Sequence, residues 1–211
     1  MGGGVKKEYR LLKQKPVLVF SIHPFFALEN VKKIVLTVPQ GEIPYVEKLL
    51  SPYFNMNLIS IIEGGSTRQE SVSMGLKELK KQNPDYVLIH DGARPWISED
   101  LIRQVMKATE KVGAALPVIP LKDALKEINA KGYIKNHKNR SSFRGAQTPQ
   151  GFIYKNILEA HLQAQKDDFH ALDDCELYSR YCGDVITIDG DVENIKITYA
   201  KDLLTCDGFK L

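Results

Sequence analysis

The chain has 211 residues, of which 43% are hydrophobic, and this composition suits one domain with a sizeable buried core. Lys and Arg number 29 and Asp and Glu number 26, so the formal net charge is only +3. Such a small excess argues against the dense basic surface that is typical of nucleic-acid-binding proteins. We therefore expect no nucleic-acid partner.

The cysteines and the apolar segments indicate the cellular compartment in which the protein resides. Cys175, Cys182 and Cys206 form no CxxC pair and are odd in number, which is typical of reduced thiols rather than a disulfide framework or a zinc site. No apolar run is long enough to span a bilayer, and no secretory hydrophobic region follows the first basic residues. The sequence therefore predicts a cytoplasmic protein with no membrane partner.

The hydrophobic pattern predicts strands that alternate with helices. In chain order the predicted elements are a helix at 16–27, a strand at 34–38, a helix at 45–50, a strand at 58–62, a helix at 68–80, a strand at 86–89, a helix at 98–112, a strand at 114–119, helices at 154–165 and 172–181, and strands at 185–189 and 195–198. This alternation is typical of an α/β fold in which a mostly parallel, doubly wound sheet carries helices on both faces.

The segment 123–143 breaks the alternation. It has little helical periodicity, and Gly132-Tyr133-Ile134 is typical of a turn that enters a short strand. Its basic residues, together with the one that follows it, are Lys126, Lys131, Lys135, Lys138, Arg140 and Arg144. We predict a β-arm that protrudes from the main sheet.

Ligands of open α/β sheets bind beyond the carboxyl ends of the strands, and three polar clusters fall at such ends. The first is Gly64-Gly65-Ser66-Thr67-Arg68, which follows a predicted strand and opens a helix. Its glycines allow the backbone to approach a ligand, and its free N–H groups can bind an anion or a base edge. An ordinary strand-to-helix turn would have the same composition.

The second cluster is His90-Asp91-Gly92-Ala93-Arg94-Pro95, after the next predicted strand. Asp91 can hold ribose or polyol hydroxyls or a magnesium ion, and Arg94 can pair with Asp91 or with a phosphate. A buried Asp–Arg pair that only shapes the loop is equally compatible with the sequence. We interpret His90 as a packed, hydrogen-bonded histidine rather than a base.

The third cluster is Glu193-Asn194-Ile195-Lys196-Ile197-Thr198. In a strand, Lys196 would point to the face opposite Ile195 and Ile197, and an inward lysine would need an anion. A lysine that reaches solvent from an edge strand is the alternative.

Taken together, these segments resemble the 2-C-methyl-D-erythritol 4-phosphate cytidylyltransferase family of the isoprenoid precursor pathway. Each matching segment is a weak signal, but their order and spacing along nearly the whole chain are specific. They are Lys7-Glu8-Tyr9, Gly64-Gly65 with Arg68, Ser71-Val72, Gly75-Leu76, the segment from His90 to Pro95, Asp123-Ala124-Leu125-Lys126, Ala146-Gln147-Thr148-Pro149-Gln150 and Asn194-Ile195-Lys196-Ile197-Thr198.

The resemblance implies the Rossmann-like fold of nucleotide-diphospho-sugar transferases. It also implies transfer of CMP from CTP to 2-C-methyl-D-erythritol 4-phosphate, with release of pyrophosphate. Magnesium would be held mainly by the CTP phosphates and water. The family forms homodimers in which the β-arm crosses to the neighbouring subunit.

The resemblance also implies roles for individual residues, with Lys7, Arg140 and Lys196 as catalytic residues. Lys7 would stabilise the transition state at the α-phosphate, and Arg140 would act in the neighbouring subunit. The implied substrate-binding residues are Gly64, Gly65, Arg68 and Ser71 near the nucleotide, Asp91, Gly92 and Arg94 at the ribose and acceptor hydroxyls, and Thr148, with Arg140 and Lys196, at the acceptor phosphate.

The chain departs from the family pattern at three places. It begins at a Met-Gly, Met1-Gly2, that follows a first strand and a Gly-rich triphosphate loop in family members, so we expect that both belong upstream and that Met1 is not the natural start. Ala124 stands where a threonine is usual, and Arg144 stands where an aromatic residue is usual. Two alternatives are open: a cytidylyltransferase for a pentitol phosphate such as ribitol 5-phosphate, and a catalytically inactive binding or regulatory homologue.

Overall fold

The computed structural model describes residues 5–199 and 201–205. The Met1-Gly2 motif and Cys206 lie outside the described residues. The helices are α1 (Val17–Phe26), α2 (Ile43–Leu50), α3 (Arg68–Glu78), α4 (Glu99–Val112), α5 (Tyr154–Lys166), α6 (Asp174–Tyr181) and α7 (Asp202–Thr205). The strands are β1 (Leu11–Leu12), β2 (Lys15–Pro16), β3 (Ile34–Val38), β4 (Ile59–Glu63), β5 (Tyr86–Ile89), β6 (Ala114–Pro120), β7 (Leu125–Ile128), β8 (Ile134–Lys138), β9 (Arg144–Ala146), β10 (Gln150–Ile153) and β11 (Ile186–Asp189).

Local sequence signals explain where the helices begin and end. Ser98 caps α4 by accepting a hydrogen bond from the Leu101 N–H at 3.2 Å, and Gly113 ends the helix with a φ of 103° that favours glycine. Thr67 caps α3 in the same way through the Glu70 N–H. The predicted helix at 172–181 begins later, at Asp174, because Asp173 serves as its cap.

The main sheet has five strands, with β11, β6, β10 and β5 in that order and β9 paired to β6. β11 runs parallel to β6, whereas β10 is antiparallel to both β6 and β5 and places Gln150 opposite Ile89. A separate pair, β3 and β4, is parallel. The predicted α/β fold with parallel strands in an open sheet is confirmed. The central antiparallel strand β10 was not predicted, nor were β9 and the β1–β2 hairpin.

A cavity of about 600 Å³ lies between the β3–β4 pair and the main sheet. Its walls include Val35 and Leu36 of β3, Val87 and Leu88 of β5, and Leu18 of α1. Among the described residues, no strand pairing joins β3 to β5. The two strand edges that border this cavity therefore face one another across apolar space.

The core continues on both sides of this cavity. Around β3 and β4 it includes Val38, Val46, Leu50 and Ile59, and around β10 it includes Phe152 and its neighbours on α5 and α6. These two packed regions hold the loops at the carboxyl ends of β4 and β5 in fixed positions.

The segment 123–143 contains the hairpin of β7 and β8, with Leu125 opposite Lys138 and an irregularity between Glu127 and Ile128. Every residue of β8 is exposed. The hairpin stands off the main sheet as a separate two-stranded sheet.

The predicted strand at 195–198 is wrong. This segment has no regular secondary structure, and the Ile197 N–H instead donates to the Ala93 carbonyl at 2.8 Å. The alternating apolar pattern reflects the burial of Ile197 beside Ala93 and Trp96 rather than a sheet partner. In the described part of the chain, no helix has the length and apolar character needed to cross a bilayer.

Candidate active site

Asp91 lies at the centre of a charged cluster at the carboxyl end of β5. Its carboxylate is 3.0 Å from Lys196 Nζ, 3.3 Å from Arg94 Nε and 3.8 Å from Arg68 Nε. Burial opposes ionisation of Asp91, but Lys196, Arg94 and Arg68 outweigh it and hold the pKa of the carboxyl below its ordinary value. Arg68 also pairs with the buried Asp174 at 2.8 Å, so three cations face two acidic side chains. The site keeps a net positive charge, which suits an anionic substrate.

Partly buried hydrogen bonds fix the loop that carries Asp91. Thr148 accepts from the Asp91 N–H at 3.1 Å and lies 3.0 Å from His90 Nδ1. Burial lowers the pKa of His90 to about 4, so its imidazole is neutral near pH 7. His90 is therefore a packed, hydrogen-bonded histidine, as predicted. The Thr148 hydroxyl, implied at the acceptor phosphate, contacts the loop backbone in this structure.

Asn194 links the segment from Glu193 to Thr198 to the loop that carries Asp91 and Arg94. Arg94 Nη1 donates to the Asn194 carbonyl at 2.8 Å, and Asn194 Nδ2 donates to the Thr148 carbonyl at 2.9 Å. Asn194 is fully buried. These contacts bring Lys196 to Asp91 without any strand in the segment, so the anion that an inward lysine needs is the Asp91 carboxylate.

Side chains of α3 accept hydrogen bonds from the glycine turn that follows β4. The Gly65 N–H donates to Ser71 Oγ at 3.1 Å, and the Ser66 N–H donates to Glu70 Oε2 at 2.7 Å. A Cβ at Gly64 would lie 2.7 Å from Ser71 Oγ, so a larger residue there would displace the serine. The implied nucleotide-binding residues Gly64, Gly65 and Ser71 are thus in mutual contact.

Gly92 links the charged loop to α1 and to the N-terminal segment. Its carbonyl accepts from Ser21 Oγ at 2.9 Å. A Cβ at Gly92 would lie 3.1 Å from Leu18 Cδ1 and 3.9 Å from Glu8 Cγ. The segment with Lys7 and Glu8 therefore passes beside the Asp91 loop.

Lys7 itself is less engaged than its neighbour. Lys6 Nζ lies 2.5 Å from Glu42 Oε1, and Tyr9 donates to the same carboxylate at 2.7 Å. The ion pair of Lys7 with Glu8 is long, at 4.0 Å. The Glu42 contacts anchor the segment on both sides of Lys7. The Lys7 side chain is 35% exposed, and its charge also acts on the Asp202 carboxylate.

Arg140 is the implied catalytic residue that the structure does not bring to the Asp91 cluster. It lies in a short 3₁₀ turn after β8, and its Nη1 donates to the Lys122 carbonyl of its own chain. A role in the neighbouring subunit stays a prediction.

No group of three or more His, Cys, Asp or Glu side chains in the described residues could hold a metal ion. Asp91 is the acidic side chain at the centre of the site, and lysine and arginine side chains already contact both of its oxygens. Within residues 5–199 and 201–205 there is therefore no ready cage of carboxylates for magnesium.

Two buried side chains beside the site were not predicted from the sequence. Asp174, the first residue of α6, lies 2.8 Å from Arg68 Nη1, and His161 Nε2 of α5 lies 3.0 Å from its other oxygen. Asp173 and Asp174 follow one another at a helix start, where acidic residues are common as caps. Nothing local in the sequence distinguishes the second of them as a partner for Arg68.

The fold and the cationic site define an α/β enzyme that acts on anionic substrates. The family model described as 2-C-methyl-D-erythritol 4-phosphate cytidylyltransferase matches residues 1–209, and the chain belongs to this nucleotidyltransferase family. A protein of that name from Desulforamulus reducens is 36% identical over 211 residues, covering 99% of this chain and 89% of the relative. One from Bacillus cereus is 35% identical over 209 residues, with 99% and 91% covered.

Solved structures agree with this assignment. The 4-diphosphocytidyl-2C-methyl-D-erythritol synthase of Anaerococcus prevotii has a TM-score of 0.86 and 28% identity, covering 98% of this chain and 90% of that one. The 2-C-methyl-D-erythritol 4-phosphate cytidylyltransferase of Thermus thermophilus has a TM-score of 0.80 and 30% identity, covering 94% and 91%. These comparisons favour the methylerythritol family over the pentitol alternative and over an inactive homologue.

Proposed function

We propose that the chain transfers CMP from CTP to 2-C-methyl-D-erythritol 4-phosphate. The observation that carries the proposal is the cluster of Lys196, Arg94 and Arg68 around Asp91, next to the turn at Gly64 and Gly65. Family membership supplies the reaction, and the cluster supplies the charge that two phosphorylated substrates require.

In the proposed reaction, a phosphate oxygen of the acceptor attacks the α-phosphorus of CTP. The new O–P bond forms as the bond between the α-phosphorus and the bridging oxygen breaks, and pyrophosphate leaves with the electron pair. Such transfers are accelerated by positioning and by charge neutralisation, which is the chemistry that lysine and arginine side chains provide.

Each part of the site has a role in this proposal. The cytosine lies against the turn at Gly64 and Gly65, whose N–H groups are held by Val38 and Ser71. Asp91 orients hydroxyl groups, and Lys196 exchanges part of its contact with Asp91 for the acceptor phosphate. Lys7, beside the Asp91 loop, stabilises the charge that develops at the α-phosphate.

We propose that magnesium enters with CTP, held mainly by the triphosphate and water, because the described residues contain no cluster of metal-binding side chains. The ion supplies neutralisation of triphosphate charge. Among the acidic side chains of the site, Asp91 is the candidate for a contact between the protein and the magnesium ion. We also propose a cytoplasmic location, which fits the free thiols of Cys175 and Cys182.

We propose a homodimer formed through the arm of β7 and β8. The arm and its flanking turn expose large apolar side chains, with Ile128 at 63%, Tyr133 at 70%, Ile134 at 56% and Phe143 at 42%. Exposed apolar side chains on a protruding hairpin are a surface that a second copy can cover. Sedimentation of the wild type and of Ile134→Lys should give a dimer and a monomer, with Lys131→Ser as the dimeric control. A monomeric wild type would reject this part of the proposal.

Pyrophosphate release tests the reaction. The chain is incubated with CTP, magnesium and either 2-C-methyl-D-erythritol 4-phosphate or ribitol 5-phosphate. We expect release that depends on the first acceptor. Turnover of ribitol 5-phosphate alone would replace the proposed acceptor, and acceptor binding without CTP binding would identify an inactive homologue.

A further inference from the structure

Asp174 is a buried acid that extends the Asp91 cluster into the core. It takes no part in the proposed reaction. Arg68 lies between two carboxylates, 3.8 Å from Asp91 and 2.8 Å from Asp174. The Asp174 side chain is only 1% exposed, whereas that of Arg68 is 38% exposed. One end of the arginine is therefore held in the core while the other faces the site.

His161 lies at the inner end of this row of contacts. Its Nε2 lies 3.0 Å from Asp174 Oδ1, and both side chains are 1% exposed. A carboxylate so fully removed from water is costly unless its partners satisfy it. Oδ1 of Asp174 has a hydrogen-bond partner in His161, whereas Oδ2 is held by the ion pair with Arg68 alone. The carboxylate therefore depends on Arg68 for the neutralisation of its second oxygen.

A second set of contacts holds the same two segments together. Gln69, next to Arg68, donates through Nε2 to the Phe169 carbonyl at 2.9 Å and accepts from the Ala171 N–H at 2.9 Å. The start of α3 is thus fastened to the loop that leads into α6. Movement of Asp174 would be transmitted directly to Arg68 and to the glycine turn before it.

We propose that Asp174, supported by His161, is a positioning residue that sets the orientation of Arg68 and, through Arg68, of the Asp91 carboxylate. This inference rests on the proposed function for its effect on substrates. When a phosphate draws Lys196 away from Asp91, Arg68 and Arg94 are the cations that keep the carboxylate in place. Groups that orient the residues in contact with a ligand commonly alter affinity or activity by ten- to a hundredfold when removed.

The test is a double-mutant cycle on acceptor and CTP affinity, measured by calorimetry. Asp174→Asn removes the charge, Arg68→Ala removes the arginine, and the third variant combines them. If Asp174 acts through Arg68, each single variant weakens binding about tenfold and the double variant is no weaker than Arg68→Ala alone. Additive losses would overturn the proposal, because a general structural defect adds to the loss of Arg68.

Asp173→Asn is the matched control, since asparagine also caps helices and Asp173 contacts Gln150 and the α6 backbone. We expect it to leave both affinities unchanged. If Asp174→Asn does not fold, His161→Gln retains the Asp174 charge and tests the same orientation with a milder change.

A substrate-independent measurement separates this proposal from the proposed function. The ¹⁵N signal of Arg68 Nε–H, assigned by comparison with Arg68→Ala, should be sharp in the wild type and broadened or shifted in Asp174→Asn. It should change much less in Asp173→Asn, because Asp173 acts on Arg68 more weakly than Asp174 does. If the wild type binds neither substrate yet shows this pattern, the proposed function fails and the positioning contact stands. An unchanged Arg68 signal in Asp174→Asn would reject the positioning role.

Discussion

Lys196 Nζ lies 3.0 Å from Asp91 Oδ2, although the two residues come from opposite halves of the chain. Asp91 also contacts Arg94 and Arg68, so its carboxylate does not depend on Lys196 alone for neutralisation. Lys196 is the most readily released of the three, because Arg94 is largely buried and Arg68 is also held by Asp174, whereas Lys196 is 41% exposed. It is therefore the cation best placed to exchange Asp91 for a substrate phosphate.

Replacing Lys196 should weaken acceptor binding with little effect on stability. A hydrogen bond to a charged group contributes about 1.5–3 kcal/mol, so Lys196→Gln should raise the Kd for the acceptor phosphate roughly 10- to 100-fold. The melting temperature should change little, since a half-exposed ion pair contributes about 0–1 kcal/mol. Calorimetric titration checks this, with Lys107→Gln on α4 as the control. Equal affinities in the two variants would remove Lys196 from the phosphate site.

Lys7 and Lys6 allow a comparison of adjacent lysines. Lys6 is engaged with Glu42, whereas the ion pair of Lys7 with Glu8 is long. If Lys7 acts on the transition state, Lys7→Ala should lower kcat strongly and leave substrate affinity nearly unchanged. Lys6→Ala should cost about 0–1 kcal/mol of stability and change kcat only slightly. Steady-state pyrophosphate release measures both, and similar kcat values would contradict a catalytic role for Lys7.

The site was largely predictable where its residues follow a strand directly. Gly64, Asp91 and Arg94 follow β4 or β5, and strand ends could be located from short apolar runs. Asp174 was not predictable, because its partners Arg68 and His161 are distant in the sequence and the acid sits where a helix cap is expected. Identification of a buried ion pair of this kind requires the packing of α3 against α5 and α6.

Strands with strong local sequence signals were predicted, whereas strands that depend on long-range pairing were not. Strands such as β3 and β6 have strong local signals, whereas β10 is short, contains Gly151, and owes its place to pairing with β5 and β6. The segment 195–198 has the alternation of a strand but joins no sheet in the described part of the chain. Its backbone pairs with Ala93 instead.

Mixed dimers test whether Arg140 acts in the neighbouring subunit. A subunit with Arg140→Ala is combined with one that carries Lys7→Ala, and heterodimers are isolated by two affinity tags. If Arg140 reaches the partner's site, each heterodimer contains one intact site and recovers up to about half of the wild-type activity. Confirmed heterodimers with no more activity than either mutant homodimer would place Arg140 outside the partner's site.

We expect the folded protein to lose stability against unfolding in mild acid because of His90. Burial lowers its pKa from 6.5 to about 4, so as pH falls through this range the unfolded chain takes up a proton that the folded protein does not. The stability present above about pH 6.5 is therefore lost progressively toward pH 4, by roughly 2–3 kcal/mol at about pH 4.5.

Urea unfolding at about pH 7 and about pH 4.5 measures this loss. His90→Gln retains hydrogen-bonding groups but does not titrate, so its stability should fall by roughly 2–3 kcal/mol less than that of the wild type. Protonation of Asp91 contributes only at lower pH, because the pKa of its carboxyl is held below the ordinary 3.8. Equal losses in the two proteins would show that His90 does not carry the acid sensitivity.

The cavity between β3 and β5 predicts that an added strand stabilises the protein. Its volume of about 600 Å³ and its walls of Val35, Leu36, Val87 and Leu88 suit an extended apolar segment, which could pair with both strand edges. The N-terminal segment is held at Glu42, shortly after β3 ends, by the Lys6 ion pair. We therefore expect an N-terminal extension to enter the cavity and to run parallel to β3.

We expect an extension with five alternating Val and Ile residues, joined by a Gly-rich loop, to raise the melting temperature by several degrees. Each buried Val or Ile contributes about 1.5–3 kcal/mol, against about 1–2 kcal/mol per residue for ordering the backbone. For a chain of this size each net kcal/mol raises the melting temperature by about 2–4 °C. The control has the same length and loop, with Ser and Asn in place of the apolar residues. Calorimetric scans should show the rise in the first protein alone, and equal melting temperatures would mean that the cavity does not accept a strand.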